Sequence, residues 1–207
     1  MTVPLQRWLV VGAVLFAAFI VLGLSVARQP LFLDVEVADA LHGVYTQPLG
    51  RVAQAGSDVL GPVLPFVLGT ALVALALRRR EHLGLCVKLA VVLVLCRLTS
   101  LVFKPVFLRE RPRDYPDLSY PSGHVTSVAS TGFVLLLLCA WLWPRLVKRV
   151  AVAVVAATVL IAVFRVLLGV HWVTDTIGAV LAVTGVGLLS ASALRLLPAG
   201  DGRSLDG

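Results

Sequence analysis

A chain of 207 residues that is 59% hydrophobic and 14% charged, with a mean hydropathy of +0.97, is too apolar for a soluble domain. Its formal net charge of +7 would point to nucleic acid on a soluble protein. Here the cations lie in short loops between apolar runs, where membrane topology and anionic lipid account for them, and no basic patch is interleaved with aromatics; no nucleic acid partner is expected. The composition fits an integral membrane protein with one helical domain and no room for a second.

Six apolar segments are long enough to cross a bilayer at 1.5 Å of helix rise per residue. They run approximately from Trp8 to Val26, Leu60 to Leu77, Leu83 to Phe103, His124 to Trp143, Lys148 to Leu168 and Thr174 to Leu196. Backbone facing lipid must satisfy its own hydrogen bonds, so each is expected to be a helix. The fold class is therefore all-α: a polytopic six-transmembrane-helix bundle over residues 1–197, followed by a polar, disordered tail at 198–207.

The first segment has the marks of a signal peptide, with Arg7 ahead of the apolar core and "SVA" at Ser25 to Ala27. Its apolar stretch is long for a signal core, which favours a retained helix. The loop from Arg28 to Val59 sets Asp39, His42 and Gln47 among apolar residues at roughly helical spacing, which predicts an amphipathic helix lying on the membrane surface. Cys86, Cys96 and Cys139 all fall inside apolar runs; they read as small buried residues, without a disulfide framework or metal-ligand spacing.

The positive-inside rule sets the orientation. Nine Lys and Arg residues fall on the side of the N-terminus and seven on the other. The dense runs "RRRE" and "PRLVKR" occupy very short loops on the N-terminal side, which makes that side cytoplasmic. The stretch "FKPVFLRERPRDYPDLSYPSGHV", between the third and fourth segments, then faces outward, as does "FRVLLGVHWVTD" between the fifth and sixth.

These two stretches bring Lys104, Arg111, His124, Arg165, His171 and Asp175 to one water–lipid boundary. Lys104 is expected to end the third helix, because Pro105 disfavours its continuation. Arg111-Pro112 follows on a stiff loop. Ser122-Gly123-His124 opens the fourth helix, where free N–H groups and the positive dipole end suit a phosphate and Gly123 lets backbone approach a ligand. His171 and Asp175, four apart, would share a helix face. Asp175 could then accept from one ring nitrogen and leave the other electron-rich, the condition for a base or nucleophile. Arg165 lies six residues ahead of His171, before a turn at Gly169. Singly, an Arg at a helix end snorkels and a His–Asp pair is structural more often than catalytic. Six such residues converging on one face outweigh that reading. Arg97, seven residues before Lys104, is an additional candidate: an ionisable residue inside a membrane segment holds a second phosphate or pairs with an internal carbonyl. Lys88 snorkels towards the cytoplasmic end.

The three segments "KPVFLRERP", "PSGH" and "RVLLGVHWVTD" resemble, in order and spacing, the motifs of the type 2 phosphatidic acid phosphatase superfamily, membrane relatives of the vanadium haloperoxidases. The motifs cover Lys104 to Asp175, and the six-helix layout extends the resemblance over most of the chain. Members usually carry Ser before the third-motif Arg; this chain has Phe164. The resemblance implies a lipid phosphatase. Lys104, Arg111 and Arg165 would clamp the phosphate, with Ser122 and the Gly123 N–H completing the pocket. His171 would be the nucleophile that forms a phosphohistidine, Asp175 would orient it, and His124 would protonate the leaving oxygen. It implies no metal and no cofactor, since three cations supply the charge. The expected substrates are membrane lipid phosphates or diphosphates: phosphatidic acid, phosphatidylglycerol phosphate or a polyprenyl diphosphate. The alternatives are a lipid phosphotransferase that passes the group to an alcohol and a non-catalytic lipid-phosphate-binding protein; a vanadate haloperoxidase fits poorly, because those relatives are soluble. The expected location is the cell membrane, multi-pass, with the site extracytoplasmic.

Overall fold

The computed structural model describes residues 5–197, so the expected tail at 198–207 lies outside the described residues. Eight α-helices follow in chain order: α1 (Leu5–Val26), α2 (Phe32–Ala40), α3 (Pro48–Leu60), α4 (Val63–Arg78), α5 (Leu83–Phe107), α6 (Gly123–Leu142), α7 (Val147–Leu167) and α8 (Val173–Ala193). Among the described residues there is no strand. Six spans are long and apolar enough to cross a membrane, with α3 and α4 counted as one run of 31 residues. Each of the six expected segments corresponds to one of these spans.

α6 and α8 form the centre of the bundle: 61% and 56% of their apolar windows are buried, against 11% for α7 and 22% for α1. Leu89, Val92 and Cys96 of α5, Val134 of α6 and Val183 of α8 make the main core. Large apolar residues that point outward, such as Val14, Phe66, Val152 and Val155, meet lipid rather than water. Without a hydrophobic driving force between helices in lipid, close packing of small residues takes its place. α1 meets α8 in this way: a Cβ at Gly185 would lie 2.8 Å from the Phe16 backbone N and 3.1 Å from Gly12 O.

Two expectations change. The region 28–59 is not one amphipathic helix. It is α2, a single 3₁₀ turn (Val44–Thr46) and α3, and α3 runs on through a short break at Gly61-Pro62 into α4. Gly43, at φ 80°, and Pro48, at the start of α3, break what the helical spacing of Asp39, His42 and Gln47 suggested was continuous. The third helix also does not stop at Lys104. α5 carries Pro105 inside its last turn and ends at Phe107, where Leu108 turns into the left-handed region (φ 51°) and its N–H bonds to Lys104 O at 3.0 Å. Pro105 forfeits its own N–H bond to Leu101 O, and the last turn still closes after it through the Leu108 N–H.

At one end of the bundle, the end of α5, the start of α6, the end of α7 and the start of α8 come together. This end holds the two motif-bearing loops.

Candidate functional site

The 108–122 loop is anchored from below by aromatic packing. Tyr120 is fully buried, stacks on Phe19 of α1 (centroids 5.4 Å apart) and meets Phe107 of α5 edge-on at 5.1 Å. Its hydroxyl donates to Phe19 O at 2.8 Å. Burial, reinforced by the Asp175 charge, raises the Tyr120 phenol above its ordinary value, so it stays a neutral donor. The cis Tyr120-Pro121 bond then delivers Ser122 to the N-cap of α6. Ser122 does not use its side chain as a cap; its hydroxyl is buried without a hydrogen-bond partner.

The two loops are joined directly. Arg111 Nη1 donates to Val170 O at 2.8 Å, the residue before His171. Ser122 N–H donates to Asp175 O at 3.2 Å. Ser119 Oγ donates to Asp175 Oδ2 and lies 3.5 Å from His171 Nδ1. The sequence-predicted residues of both loops thus share one end of the bundle.

His171 Nδ1 stands 3.2 Å from Asp175 Oδ2, and both side chains are almost wholly buried. The pair meets as expected, but not on a helix face. α8 begins at Val173, so His171 lies ahead of it. Asp175, in the first turn, reaches back to accept the Trp172 N–H at 2.8 Å, as acidic residues at this position do. This back-bond carries its carboxylate to the His171 ring. Nε2 of His171 has no hydrogen-bond partner among the described residues. Burial pushes the His171 imidazole down to about 4, against the pull of the Asp175 hydrogen bond and charge, so the ring is neutral near pH 7.

Lys104 and Arg111 converge on one carboxylate that sequence reading did not single out. Asp117 Oδ2 accepts from Lys104 Nζ and, at 3.1 Å, from Arg111 Nη2. Arg111 also donates through Nε to Asp117 O at 2.6 Å and stacks on Tyr115, 4.5 Å from the ring centroid. Burial lowers the Arg111 guanidinium with Asp117 opposing; a guanidinium shifted in this way keeps its charge. Partial burial would raise Asp117, but the bonds and charges of Lys104 and Arg111 outweigh it and hold the carboxyl below its ordinary value. Arg165, the third predicted cation, is 3% exposed, and its Nε has no partner. Phe164, in place of the usual Ser, turns instead to α3, where a Cβ on Gly56 would lie 2.3 Å from its ring.

A cavity of about 450 Å³ opens here, lined among others by Lys104, Asp117, Gly123, His124, Arg97 and Gly61. Gly61, at the break between α3 and α4, lies against the His124 ring: a Cβ there would fall 2.2 Å from Cδ2. His171 lines a second, smaller cavity beside α2, of about 150 Å³. Arg97 donates to Gly123 O at 3.1 Å and to Ser127 Oγ at the wall of the larger cavity. Among the described residues no three His, Cys, Asp or Glu side chains group as metal ligands.

Sequence reading missed Asp117, Ser119, Asp34 and Arg109. Arg109 and Asp34 are both buried, and Arg109 Nη1 donates to Asp175 Oδ1 at 2.6 Å. No sequence signal sets Arg109 apart from Glu110, Arg111 and Arg113 beside it.

Comparison with known proteins agrees with this architecture. The family model for the PAP2 superfamily matches residues 83–196, more than half of the chain, and takes in Lys104, Arg111, Ser122, His124, Arg165, His171 and Asp175 but not Asp34 or Gly61. An undecaprenyl-diphosphatase of Sulfolobus acidocaldarius is 38% identical over 89 residues. That match covers 42% of this chain and 37% of the relative, so the chain spans little more than a third of that protein. The crystal structure of a transmembrane PAP2-type phosphatidylglycerolphosphate phosphatase from Bacillus subtilis superposes with a TM-score of 0.69 at 23% identity, covering 89% of this chain and 94% of that one.

Proposed function

The chain belongs to the PAP2 superfamily of membrane phosphatases, and on that premise we propose that it hydrolyses phosphomonoester or diphosphate lipids through a phosphohistidine on His171. The observation that carries this reading is the buried His171–Asp175 pair, 3.2 Å apart, joined to the cationic loop by the Arg111 bond to Val170 O. The pair supplies a neutral imidazole with Nδ1 tied and Nε2 unused, as an attacking nitrogen requires.

The transferring phosphoryl group carries its charge on three equatorial oxygens, and fixed cations with oriented N–H groups stabilise it. Lys104, Arg111 and Arg165 form the clamp, and Ser122 Oγ with the first-turn N–H groups of α6 completes it. The substrate phosphate replaces the Asp117 carboxylate on Lys104 and Arg111. His171 Nε2 then attacks phosphorus as the ester or anhydride P–O bond breaks, and the departing oxygen takes its proton from His124. Asp175 holds the Nδ1 proton and balances the positive ring. Water next attacks the phosphorus of the phosphohistidine as the P–N bond breaks, with His124 receiving its proton, which frees inorganic phosphate and returns both rings to their starting states. The cations supply the charge, so no metal is required.

The site sits at the rim of the bundle, and a lipid tail can stay among the helices while its head group enters. Phosphatidic acid, phosphatidylglycerol phosphate and a polyprenyl diphosphate are the candidate substrates. The two relatives act on phosphatidylglycerolphosphate and undecaprenyl diphosphate, and both substrates fall in this class. The experiment is inorganic phosphate release from all three by the purified protein in detergent with EDTA present, beside His171→Ala. EDTA-resistant release that falls at least ~10³-fold in the variant is expected; substantial residual turnover in the variant would refute the assignment.

The cation distribution supports an outward-facing site, with the short loops rich in Arg and Lys on the cytoplasmic side. Cysteines placed singly at exposed Asp114 or Asp117 should react with an impermeant thiol reagent on intact cells. Labelling only after the membrane is opened would reverse the topology.

A further inference from the structure

Asp175 divides its two oxygens between two tasks. Oδ2 faces the His171 ring, the Trp172 N–H and Ser119. Oδ1 accepts from Arg109 Nη1 at 2.6 Å. The same guanidinium donates from Nη1 to Thr174 Oγ1 at 2.7 Å and from Nη2 to Asp34 Oδ2 at 2.7 Å. Asp34 in turn accepts the Thr174 N–H at 3.0 Å on Oδ1 and the Thr174 hydroxyl at 2.6 Å on Oδ2. Asp34 is 1% exposed, Arg109 2% and Asp175 0%. Three ionised groups are thus shut away from water in one chain, Asp34–Arg109–Asp175, beside the reacting histidine.

Such burial is expensive unless each charge is met, and here each is met by at least two partners. The bridge also sets a charge balance. An Arg109 without Asp34 would draw on the Asp175 carboxylate unopposed and weaken its hold on a ring that becomes positive during the reaction. With Asp34 in place, the three groups sum to one negative charge, which favours the cationic ring. Asp34 does not belong to any phosphate-binding motif. It stands in the first turn of α2, 140 residues from Thr174, in the region whose role the sequence could not assign.

We propose that Arg109 and Asp34 are positioning residues for phosphoryl transfer, fixing the Asp175 carboxylate and through it the His171 ring, with α2 as the anchor. This rests on the reading of His171 as the phosphoryl acceptor. α2 is then a structural part of the catalytic centre, although it touches no substrate phosphate.

Two inhibitors separate the step these residues serve from simple phosphate binding. Orthophosphate is held by the clamp alone. Orthovanadate becomes five-coordinate by taking His171 Nε2 as a ligand, so its affinity reports the placement of the ring. In the full-length protein, Asp34→Asn keeps an acceptor for the Thr174 N–H but takes the negative charge, and with it the Oδ2 acceptor, away from Arg109 Nη2. The expected result is a vanadate inhibition constant raised at least about tenfold, an orthophosphate constant changed less than about threefold, and a fall in kcat with little change in KM. Arg109→Lys keeps a cation but replaces the fork that reaches Asp175 from Nη1 and Asp34 from Nη2 with a single ammonium on a shorter stem; it is expected to give the same pattern and serves if Asp34→Asn does not fold. Equal loss of both inhibitors, or loss of neither, overturns the proposal. A wild-type protein that binds vanadate no better than phosphate, or whose vanadate preference survives His171→Ala, overturns the acceptor reading itself. That result is legible without the Asp34 and Arg109 variants.

Discussion

The two ends of the bundle carry similar numbers of cations and treat them in opposite ways. At the end with the α4–α5 and α6–α7 connections, Arg78, Arg79, Arg80, Arg145, Lys148 and Arg149 are all exposed. The ion pair found there, Arg79–Glu81, is 3.7 Å long between side chains 69% and 61% exposed. At the other end, Arg109 meets Asp175 at 2.6 Å with side chains 3% and 0% exposed, and Arg165 is buried with an unpartnered Nε. Solvated cations cost nothing to keep and contribute little beyond orientation in the membrane. Buried ones carry a desolvation penalty that the fold must offset with partners or a ligand must complete. The dense runs of solvated Lys and Arg in short loops therefore bear on orientation, whereas burial picks out the cations available for chemistry.

The comparison breaks most visibly at Arg165. Arg165→Lys replaces a planar fork with a point charge and should lower kcat/KM on the order of 10²-fold. Arg80→Lys at the opposite end should leave it unchanged. Steady-state kinetics on the two variants side by side check this, and equal effects would erase the distinction between the ends. The pH profile sharpens it further. An imidazole at the ordinary value of 6.5 would lose its lone pair in mildly acidic solution, whereas burial holds His171 near 4. The acid limb of kcat/KM should therefore lie near pH 4, falling about tenfold per unit below it; an acid limb near 6.5 would count against the buried nucleophile.

Smaller effects test the walls of the site. Gly61→Ala puts a Cβ 2.2 Å from His124 Cδ2 and must displace the ring. A loss in kcat of roughly tenfold is expected with the protein still folded, because a misplaced proton donor costs rate more than binding. Unchanged kcat would place His124 outside the reaction. The smallest change is expected at Asp117, whose carboxylate occupies Lys104 and Arg111. Asp117→Asn removes an anion that phosphate must displace, so orthophosphate should inhibit a few-fold more tightly. Weaker inhibition would make Asp117 part of the clamp's support and not its resident competitor.

The helices were legible because apolar length alone demands them in a bilayer, and charge at a span end made the proposed clamp and histidine residues conspicuous as candidates. Asp34 was not legible. In the sequence it is one acid among several in a mixed loop, and only the fold of α2 against α8 buries it. Arg109 and Asp117 were hidden by their neighbours, since a loop this rich in charge gives no hint of which groups pair with each other. The His171–Asp175 contact was expected for the wrong reason. Spacing of four suggests a helix face, while the contact comes from Asp175 reaching back across the start of α8 to Trp172. Spacing reports proximity in both cases and cannot say which local geometry produces it.

The most direct test of the central claim is the stereochemical course at phosphorus. Hydrolysis of a lipid phosphate made chiral with oxygen isotopes should proceed with net retention, because transfer to His171 and then to water inverts the centre twice. Net inversion would mean that water attacks the substrate directly and that His171 never carries the phosphoryl group.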